Sequence, residues 1–437
     1  MHTRIDRTNF SHSSPPIGQT SLRTFLGVGI GNALEWFDWH IYAAFAAFFS
    51  TQFFDRNDPT SALLNTLAVF AVGFIARPFG AVVFGWLADQ LGRKKSLTLA
   101  VIATSLGSLL IAASPTYAQI GTGASALLVV ARIIQGIAHG GELPAAQTYL
   151  SEHSPRKHRG LWASSIYISG TTGNMLGLLL GIILNSLLTH EQMMQWGWRI
   201  PFTLGAILGL FAFWMRSHMA ETGIFRAEKA ARKSLIQTGN VFFSVIKNWR
   251  TGLQVIGMTC GSTVAYYVWV VTMPTLAQNP FGYGAKDAFT ASLVGHVVFL
   301  ICLPLWGWLS DKWGRRPCML ISVGGNAAVT LPLIYWIDIS KSPTILVVAI
   351  SIQLCFLAAF LGHGPATYAE MFPTHQRASG FGIYYALAIA LFGGTAAFVL
   401  KAMGNPYHFA WYSTVLLIVC FGTIWKLPET AGKELSQ

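Results

Sequence analysis

Twelve runs of mainly apolar residues constrain this chain more than any other feature. The hydrocarbon core of a bilayer is about 30 Å thick, so a helix needs about 20 apolar residues to cross it. Lipid offers no partners for free backbone groups, and the runs are too long for barrel strands, so each is predicted to be an α-helix. The runs lie near residues 23–50, 62–88, 96–114, 124–150, 161–188, 199–216, 251–276, 287–311, 318–338, 343–371, 377–400 and 408–426.

The composition agrees with a chain that is solvated mainly by lipid. Hydrophobic residues make up 53% of the 437 residues and charged residues only 11%, whereas a soluble domain needs about 25% charged residues. The mean hydropathy is +0.50. The sequence therefore predicts an all-α membrane protein with twelve transmembrane helices.

The positive charge is distributed unevenly along the chain. Twenty-two of the 29 lysines and arginines fall in segments that are cytoplasmic if both termini are inside, and two others, Arg77 and Arg132, lie within predicted spans. This bias follows the positive-inside rule, and it argues against a nucleic-acid partner for a chain of net charge +12. We expect a multi-pass monomer of the bacterial inner membrane with both termini in the cytoplasm.

A polar stretch over 217–250 divides the twelve runs into six and six. The predicted units are an N-terminal tail over 1–22, a six-helix bundle over 23–216, a cytoplasmic loop over 217–250, a second bundle over 251–426 and a C-terminal tail over 427–437.

Residues 1–22 contain no apolar signal-peptide core, and the five cysteines have no metal-binding spacing, so neither a cleaved leader nor a cofactor is expected.

A charged turn after the second run returns in the second half. GWLADQLGRKK at 85–95 and GWLSDKWGRRP at 307–317 share six residues in register, and the spacing E-x-x-P-x-x-x-R occurs at 152–159 and again at 370–377. Two repeated signals at equivalent places predict a duplicated six-helix unit. The halves are then pseudo-symmetric about an axis along the membrane normal, the plan of the major facilitator superfamily.

The repeated turns are predicted to gate the transporter. An aspartate at a helix end lies within reach of an arginine or of the positive end of a helix, and such pairs hold one conformation and release in another. A solvated turn is the alternative, but its repetition favours gating. The residues assigned to gating are Gly85, Asp89, Gly92, Arg93, Arg132, Glu152, Arg159, Asp311, Gly314, Arg315, Glu370 and Arg377.

Charged side chains inside the first half are candidates for proton coupling. A charge at the bilayer centre costs about 3 kcal/mol or more. Glu35 and Asp38 in the first run are spaced i, i+3 and share a helical face, and two carboxylates close together in low dielectric do not both ionise readily. The alternative is that one of them pairs with an arginine. His139 and Glu142 in the fourth run are a second i, i+3 pair, either a relay or a packed polar contact.

The substrate candidates combine one intramembrane arginine with polar and aromatic residues. The guanidinium of Arg77 can bind a carboxylate through two parallel hydrogen bonds, although it could instead pair with an acidic residue of the first run. The second half contains almost no intramembrane charge, so we expect it to close over the substrate. The further candidates are Tyr42, Gln135, Arg199, Tyr266, Tyr267, His296 and His363.

Several segments resemble one family of the major facilitator superfamily. GNALEWFDWHIYAAF at 31–45 is similar to the first-helix pattern of the metabolite:proton symporter family, and RIIQG at 132–136 to the fourth-helix motif of the superfamily. FIARPFGAVVFGWLAD, WGWRIPF and AEMFPTHQRASGFG resemble further blocks of that family, while PETAG at 428–432 resembles a motif of sugar porters. The fifth-helix pattern of drug antiporters is absent, which favours uptake over drug export.

The resemblance implies proton-coupled inward transport of a small metabolite by alternating access. The overall pattern is nearest to 2-oxoglutarate permeases, so we predict a small organic acid such as 2-oxoglutarate, citrate or a related carboxylate. A proton symporter for a zwitterion such as proline or glycine betaine is the first alternative. A membrane receptor that does not transport is a weaker one. No motif of an enzyme is present in the sequence.

Overall fold

The computed structural model describes residues 22–55, 57–91, 93–140, 147, 150–151, 154–217, 249–372 and 382–433. Of residues 22–28, 81, 85–86, 88–91, 93–97 and 215–217 it describes only the backbone. The gating candidates Gly92, Glu152 and Arg377 and the proton-coupling candidate Glu142 lie outside the described residues, as do the side chains of Asp89 and Arg93. Most of the predicted loop over 217–250 lies outside them as well.

The described residues form helices and turns, with no strand among them. The first half contains α1 (Leu22–Phe53), α2 in two segments (Pro59–Ile75 and Arg77–Leu91), α3 (Arg93–Ala113), α4 (Thr122–His139), α5 (Arg159–Leu187) and α6 (Arg199–Ser217). The second half contains α7 (Trp249–Gln278), α8 (Ala285–Trp313), α9 (Arg315–Ser340), α10 in two segments (Pro343–Leu361 and Gly364–Met371), α11 (Gly382–Met403) and α12 (Pro406–Trp425).

The helices agree with the predicted spans. Within the described ranges, nine helices are long and apolar enough to cross a membrane, or ten if the bent pair His190–Gly197 and Arg199–Trp214 is one span. The remaining helices are α1, which has 32 residues and contains Glu35 and Asp38, and α3, whose apolar part is Thr98–Ala113. The arrangement is consistent with twelve spans.

The two halves meet along pairs of helices that are equivalent under the duplication. Helix α5 packs along α8, and α2 packs along α11, while α1 contacts α7. Burial separates inner from outer helices: 89% of the most apolar stretch of α7 is buried, against 39% for α12. The exposed apolar side chains of α12, such as Trp411 and Ile418, therefore form a surface for lipid.

Glycines of α5 allow the close approach of its neighbours. A Cβ atom at Gly173 would overlap the carbonyl of Ala33 in α1, and one at Gly181 would overlap the ring of Phe289 in α8. Small residues at such contacts let helix backbones pack tightly where no hydrophobic effect drives association. These glycines are therefore packing positions.

Two irregularities position side chains near the centre of the molecule. Helix α2 is interrupted at Ala76, immediately before Arg77 and Pro78, where the proline lacks the N–H that a continuous helix needs. Helix α7 contains a π-helical segment, Tyr267–Thr272. Segments of this kind are frequent at functional sites because they redirect side chains.

Candidate functional site

A small cavity lies between the halves at the middle of the bundle. Its volume of about 10 Å³ suits a single water molecule, so the structure is closed around it. Helices of both halves contribute to its wall: Glu35, Trp36, Trp39 and His40 from α1, Arg77 from α2, His139 from α4, Asn174 from α5, and Tyr267 and Val271 from α7.

Arg77 contributes a cation to the cavity wall. Its Cζ atom lies 4.2 Å from the ring centroid of Trp39 and 4.0 Å from that of Phe74. Aromatic faces attract a guanidinium and hold its plane. Its buried Nε has no hydrogen-bond partner among the described residues, so this group retains hydrogen-bonding capacity for a ligand.

Glu35 and His139 form an inter-helix pair beside Arg77. The Nε2 atom of His139 lies 3.2 Å from Oε1 of Glu35. Both residues also line a second cavity between α1, α3, α4 and α6. The pair therefore borders both cavities.

Asp38 belongs to a different cluster, buried between α1, α3 and α4. Its carboxylate accepts a hydrogen bond from the Ser108 hydroxyl and one of 2.7 Å from Nε2 of Gln135, and it lies 3.8 Å from a guanidinium nitrogen of Arg132. Arg132 also donates to Oε1 of Gln135 at 2.7 Å and stacks on Tyr42, with 3.7 Å from its Cζ to the ring centroid. The R-x-x-Q-G motif therefore supplies two of the three partners of Asp38.

Tyrosines and Trp36 lie beside the central cavity. The hydroxyls of Tyr167 in α5 and Tyr385 in α11 are 3.0 Å apart and join the two halves. The ring of Trp36 contacts those of Tyr167 and Tyr266, at 6.2 and 5.4 Å between centroids. These rings line a further small cavity together with Tyr267 and Tyr368.

An ion-pair network joins the halves at the end of the bundle that contains the repeated turns. Asp311 of α8 accepts hydrogen bonds from the first backbone N–H groups of α5, those of Gly160 at 2.8 Å and Leu161 at 2.9 Å. This places a carboxylate at the positive end of a helix. Arg315 lies 2.8 Å from Asp311, and Glu370 lies 2.9 Å from Arg159 and 3.4 Å from Arg315.

The C-terminal PETAG segment is attached to the same network. Glu429 accepts hydrogen bonds from the backbone N–H groups of Arg315 at 2.8 Å and Arg316 at 3.1 Å, and so caps α9. The Thr430 hydroxyl donates to Glu370 at 2.9 Å. Gly314 has φ 103° and its α-carbon faces Glu429, so only glycine fits there without strain.

The remaining substrate candidates do not all reach the central cavity. Arg199 donates to the backbone carbonyls of Ala112 at 2.7 Å and Ser114 at 2.8 Å. His363 lies in the break of α10, where its Nδ1 is 3.0 Å from the Thr367 hydroxyl. His296 is buried opposite His40.

Sequence reasoning did not assign several residues that the structure places at these sites. Asn174 lines the cavity, and Ser108 contacts Asp38. Glu429 was visible in the PETAG motif, but its partners were not. Isolated polar residues in apolar helices show no pattern that indicates which face they occupy.

The fold and the site define the class of protein. Two six-helix halves around a closed polar cavity, joined by an ion-pair network at one end, are the arrangement of a membrane transporter of the major facilitator superfamily. The fold is shared with solved structures of the xylose transporter XylE from E. coli. A partially occluded inward-open form matches with a TM-score of 0.73 at 19% identity over 94% of this chain and 98% of that one. A form bound to 6-bromo-6-deoxy-D-glucose matches with a TM-score of 0.75 at 18% identity, over 94% and 96%.

The chain belongs to the sugar (and other) transporter family, whose model matches residues 26–437. It is 36% identical over 399 residues to the alpha-ketoglutarate permease of Escherichia coli K12, which covers 91% of each chain. It is also 30% identical over 424 residues to the proline/betaine transporter of Salmonella typhimurium LT2, which covers 94% of this chain and 84% of that one. These relatives are bacterial transporters, not enzymes, and they confirm the family resemblance found in the sequence.

Proposed function

We propose that this protein is a proton-coupled symporter that imports a small organic acid, such as 2-oxoglutarate, citrate or a related carboxylate, by alternating access. The proposal rests on the position of Arg77, whose guanidinium lines the closed central cavity and contacts two aromatic rings. A carboxylate is the ligand that best satisfies such a group, because it accepts two parallel N–H donors. The alpha-ketoglutarate permease of E. coli, as a relative, supports the same substrate class.

Glu35 is the proposed proton carrier. It lines the same cavity as Arg77, so its negative charge would repel an incoming carboxylate. A proton on Glu35 removes that repulsion, which couples proton binding to anion binding. Asp38 does not line this cavity, and its carboxylate is occupied by Ser108, Gln135 and Arg132; we assign it to holding α1 against α3 and α4.

The ion-pair network is the proposed cytoplasmic gate. The positive-inside bias places the repeated turns in the cytoplasm, with both termini on that side of a bacterial inner membrane. In the closed network, Asp311 holds α5 and Glu370 holds Arg159 across the halves. Opening towards the cytoplasm would break these contacts. By pseudo-symmetry we assign the same role to Gly85, Asp89 and Arg93 of the first copy.

A zwitterion such as proline or glycine betaine is the second candidate substrate. The observation that favours it is the aromatic wall formed by Trp36, Tyr266 and Tyr267 beside Glu35. Aromatic faces bind quaternary ammonium groups, and the proline/betaine transporter of S. typhimurium is also a relative.

Uptake by the purified protein in proteoliposomes tests the proposal. With the outside acidic, labelled 2-oxoglutarate or citrate should accumulate, and a protonophore should abolish the accumulation. Betaine should compete weakly. If neither acid enters, or if entry ignores the gradient, the proposal is wrong. Accumulation of betaine without inhibition by carboxylates would establish the zwitterion instead.

A further inference from the structure

A cavity that the transport cycle proposed above does not use lies beside the ion-pair network. Its volume is about 180 Å³, which gives room for about a dozen water molecules and therefore for a small ligand. The beginnings of α7 and α9, the second segment of α10 and the C-terminal residues 427–433 form its wall. We call it the network cavity.

Three cations and one carboxylate line the network cavity. Arg315 and Glu370, whose side chains are 1% and 0% exposed, connect it to the buried ion pairs. Arg316 is partly buried, and Lys433 is exposed. The cavity therefore extends from the surface of the protein to the proposed gate.

Two of these cations have no acidic partner within the described part of the chain. Arg315 lies 2.8 Å from Asp311 and 3.4 Å from Glu370, so its charge is compensated. Arg316 and Lys433 form no such ion pair with any described residue, and both line the cavity. The cavity wall thus retains two uncompensated positive charges.

Arg316 also retains hydrogen-bonding capacity. One of its terminal nitrogens donates to the carbonyl of Trp425, but its buried Nε has no partner among the described residues, which is rare in native proteins. The neighbouring carboxylate of Glu429 does not line the cavity, because it accepts the backbone N–H groups at the start of α9. The guanidinium of Arg316 is therefore available to a ligand.

Two uncompensated cations match a doubly charged anion. A phosphate group carries a charge of about −1.5 to −2 at pH 7 and has three strong acceptor oxygens. Guanidinium and ammonium groups bind it through charge-assisted hydrogen bonds. Thr251 and Gln254 of α7 add a hydroxyl and an amide donor to the same wall. A carboxylate carries a single charge and would leave one cation uncompensated.

An anion bound at this place would connect α9 to the C-terminal segment. Arg316 belongs to α9, and Lys433 belongs to that segment. The backbone carbonyl of Lys433 accepts a hydrogen bond of 3.2 Å from Arg159 of the first half, and the carbonyl of Gly432 accepts one from Arg156. Holding Lys433 in place therefore stabilises contacts between the halves.

We propose that the network cavity binds a phosphate group, which links Arg316 to Lys433 and stabilises the closed gate, so that a phosphate compound in the cytoplasm slows inward opening. The group belongs either to free phosphate and small phosphate esters or to a lipid headgroup. Binding does not depend on the proposed function, whereas the effect on the transport cycle rests on it.

Thermal unfolding of the purified protein in detergent tests binding. Inorganic phosphate should raise the Tm in a saturable manner above its value in acetate of equal ionic strength. Phosphatidic acid in the micelles, without free phosphate, tests the lipid headgroup. Arg316→Gln and Lys433→Gln should each raise the Kd for phosphate about tenfold, through the loss of one charge-assisted hydrogen bond.

Lys157→Gln is the matched control for these variants. Lys157 is exposed at the same end of the bundle and does not line the cavity, so its substitution removes one positive charge without touching the site. Its Kd for phosphate should equal that of the wild type. Lys433 is exposed as well, so Lys433→Gln keeps the comparison possible if Arg316→Gln does not fold.

Hydrogen exchange tests the effect on the gate. The backbone N–H groups of Gly160 and Leu161 donate to Asp311 across the halves, so they exchange when the gate opens. With phosphate at about ten times its Kd, their exchange should slow about tenfold if only the closed gate binds the anion. Lys433→Gln should lose most of this protection at the same phosphate concentration.

The outcomes separate the site from its effect. Equal Tm values in phosphate, phosphatidic acid and acetate overturn the site, as does a wild-type Kd in both correctly folded variants. Binding without slower exchange overturns the stabilisation of the gate. Stabilisation by phosphatidic acid alone supports the site and assigns it to a lipid headgroup. None of these measurements involves uptake, so a failure of organic acids to accumulate in proteoliposomes would refute only the proposed function.

Discussion

At the scale of single residues, the helical spacing of the charges predicted which side chains share a face but not the residues that each one contacts. Glu35 and Asp38 are separated by three positions and share a face, as expected. They nevertheless point to different neighbours, His139 for Glu35 and the Arg132 cluster for Asp38. Three residues correspond to a rotation of about 300°, so the two side chains diverge by about 60°. That divergence is enough for each to meet a different helix.

Arg77→Lys should impair transport without affecting the fold. A lysine lacks the planar fork that stacks on Trp39 and Phe74 and binds a carboxylate bidentately. The loss of one charge-assisted hydrogen bond, about 1.5–3 kcal/mol, predicts an increase in KM of tenfold or more. Arg250→Lys, at an exposed position at the start of α7, is the control in the same uptake assay. An unchanged KM for Arg77→Lys would show that Arg77 does not bind the substrate.

Glu35→Gln and Asp38→Asn should have different effects. Glu35→Gln is expected to retain substrate exchange between the two sides of the vesicle but to lose accumulation driven by an acidic exterior. Asp38→Asn leaves the buried cation of Arg132 uncompensated, and breaking a buried pair costs about 3–5 kcal/mol, so we expect a lower Tm. Paired exchange and accumulation assays distinguish the two. If only Asp38→Asn uncouples transport from the proton gradient, then Asp38 carries the proton.

At the scale of elements, apolar length was sufficient to predict most helices. The predicted run over 343–371 corresponds to Pro343–Met371, and the glycines of α5 contact α1 and α8. Pro78 indicates a kink in α2, and the helix is interrupted at Ala76; the π-helical segment of α7 was not located from the sequence. Such irregularities depend on which backbone groups neighbouring helices can satisfy, and that is a tertiary property.

Gly173→Ala should destabilise the contact between α1 and α5. The added methyl group would overlap the carbonyl of Ala33, and overpacking of this kind typically costs about 1–3 kcal/mol. Thermal unfolding in detergent should therefore show a Tm lower by several degrees. Gly422→Ala in α12 is a suitable control, because nothing lies within 4 Å of its Cβ position. A Tm for Gly173→Ala equal to that of the control would show that α1 and α5 move apart to accept the methyl group without a loss of stability.

At the scale of the whole molecule, the structure shows how the repeated motifs act together. In the second copy, Asp311 and Arg315 connect α8 and α9 to α5, and Glu370 of the E-x-x-P-x-x-x-R repeat contacts Arg159 of the other repeat. Two motifs recognised separately in the sequence thus form one inter-half network. The C-terminal segment extends it through Glu429 and Thr430.

Glu429→Ala should loosen this network. It removes the acceptor for two N–H groups at the start of α9, a loss of about 1 kcal/mol for a helix cap. The backbone N–H groups of Gly160 and Leu161 donate to Asp311 across the halves, so their hydrogen exchange reports opening at this end. We expect exchange about fivefold faster. Lys433→Ala in phosphate-free buffer is the control, because Arg159 contacts Lys433 through its backbone carbonyl. Unchanged hydrogen exchange at Gly160 and Leu161 in Glu429→Ala would show that the C-terminal segment does not stabilise the gate.

The sequence by itself determined the membrane-spanning helices, their division into two related halves and the family. Apolar length and charge bias directly determine how a chain inserts into a bilayer, and motif spacing is visible in the linear sequence. The tertiary structure decided which polar residues meet. Arg77 stacks on Trp39 and Phe74, Arg132 pairs with Asp38, and His40 faces His296 from the opposite half. These pairings depend on how helices that are distant in sequence rotate and cross. Close packing at small residues sets that rotation and crossing, and the order of residues along the chain does not show it.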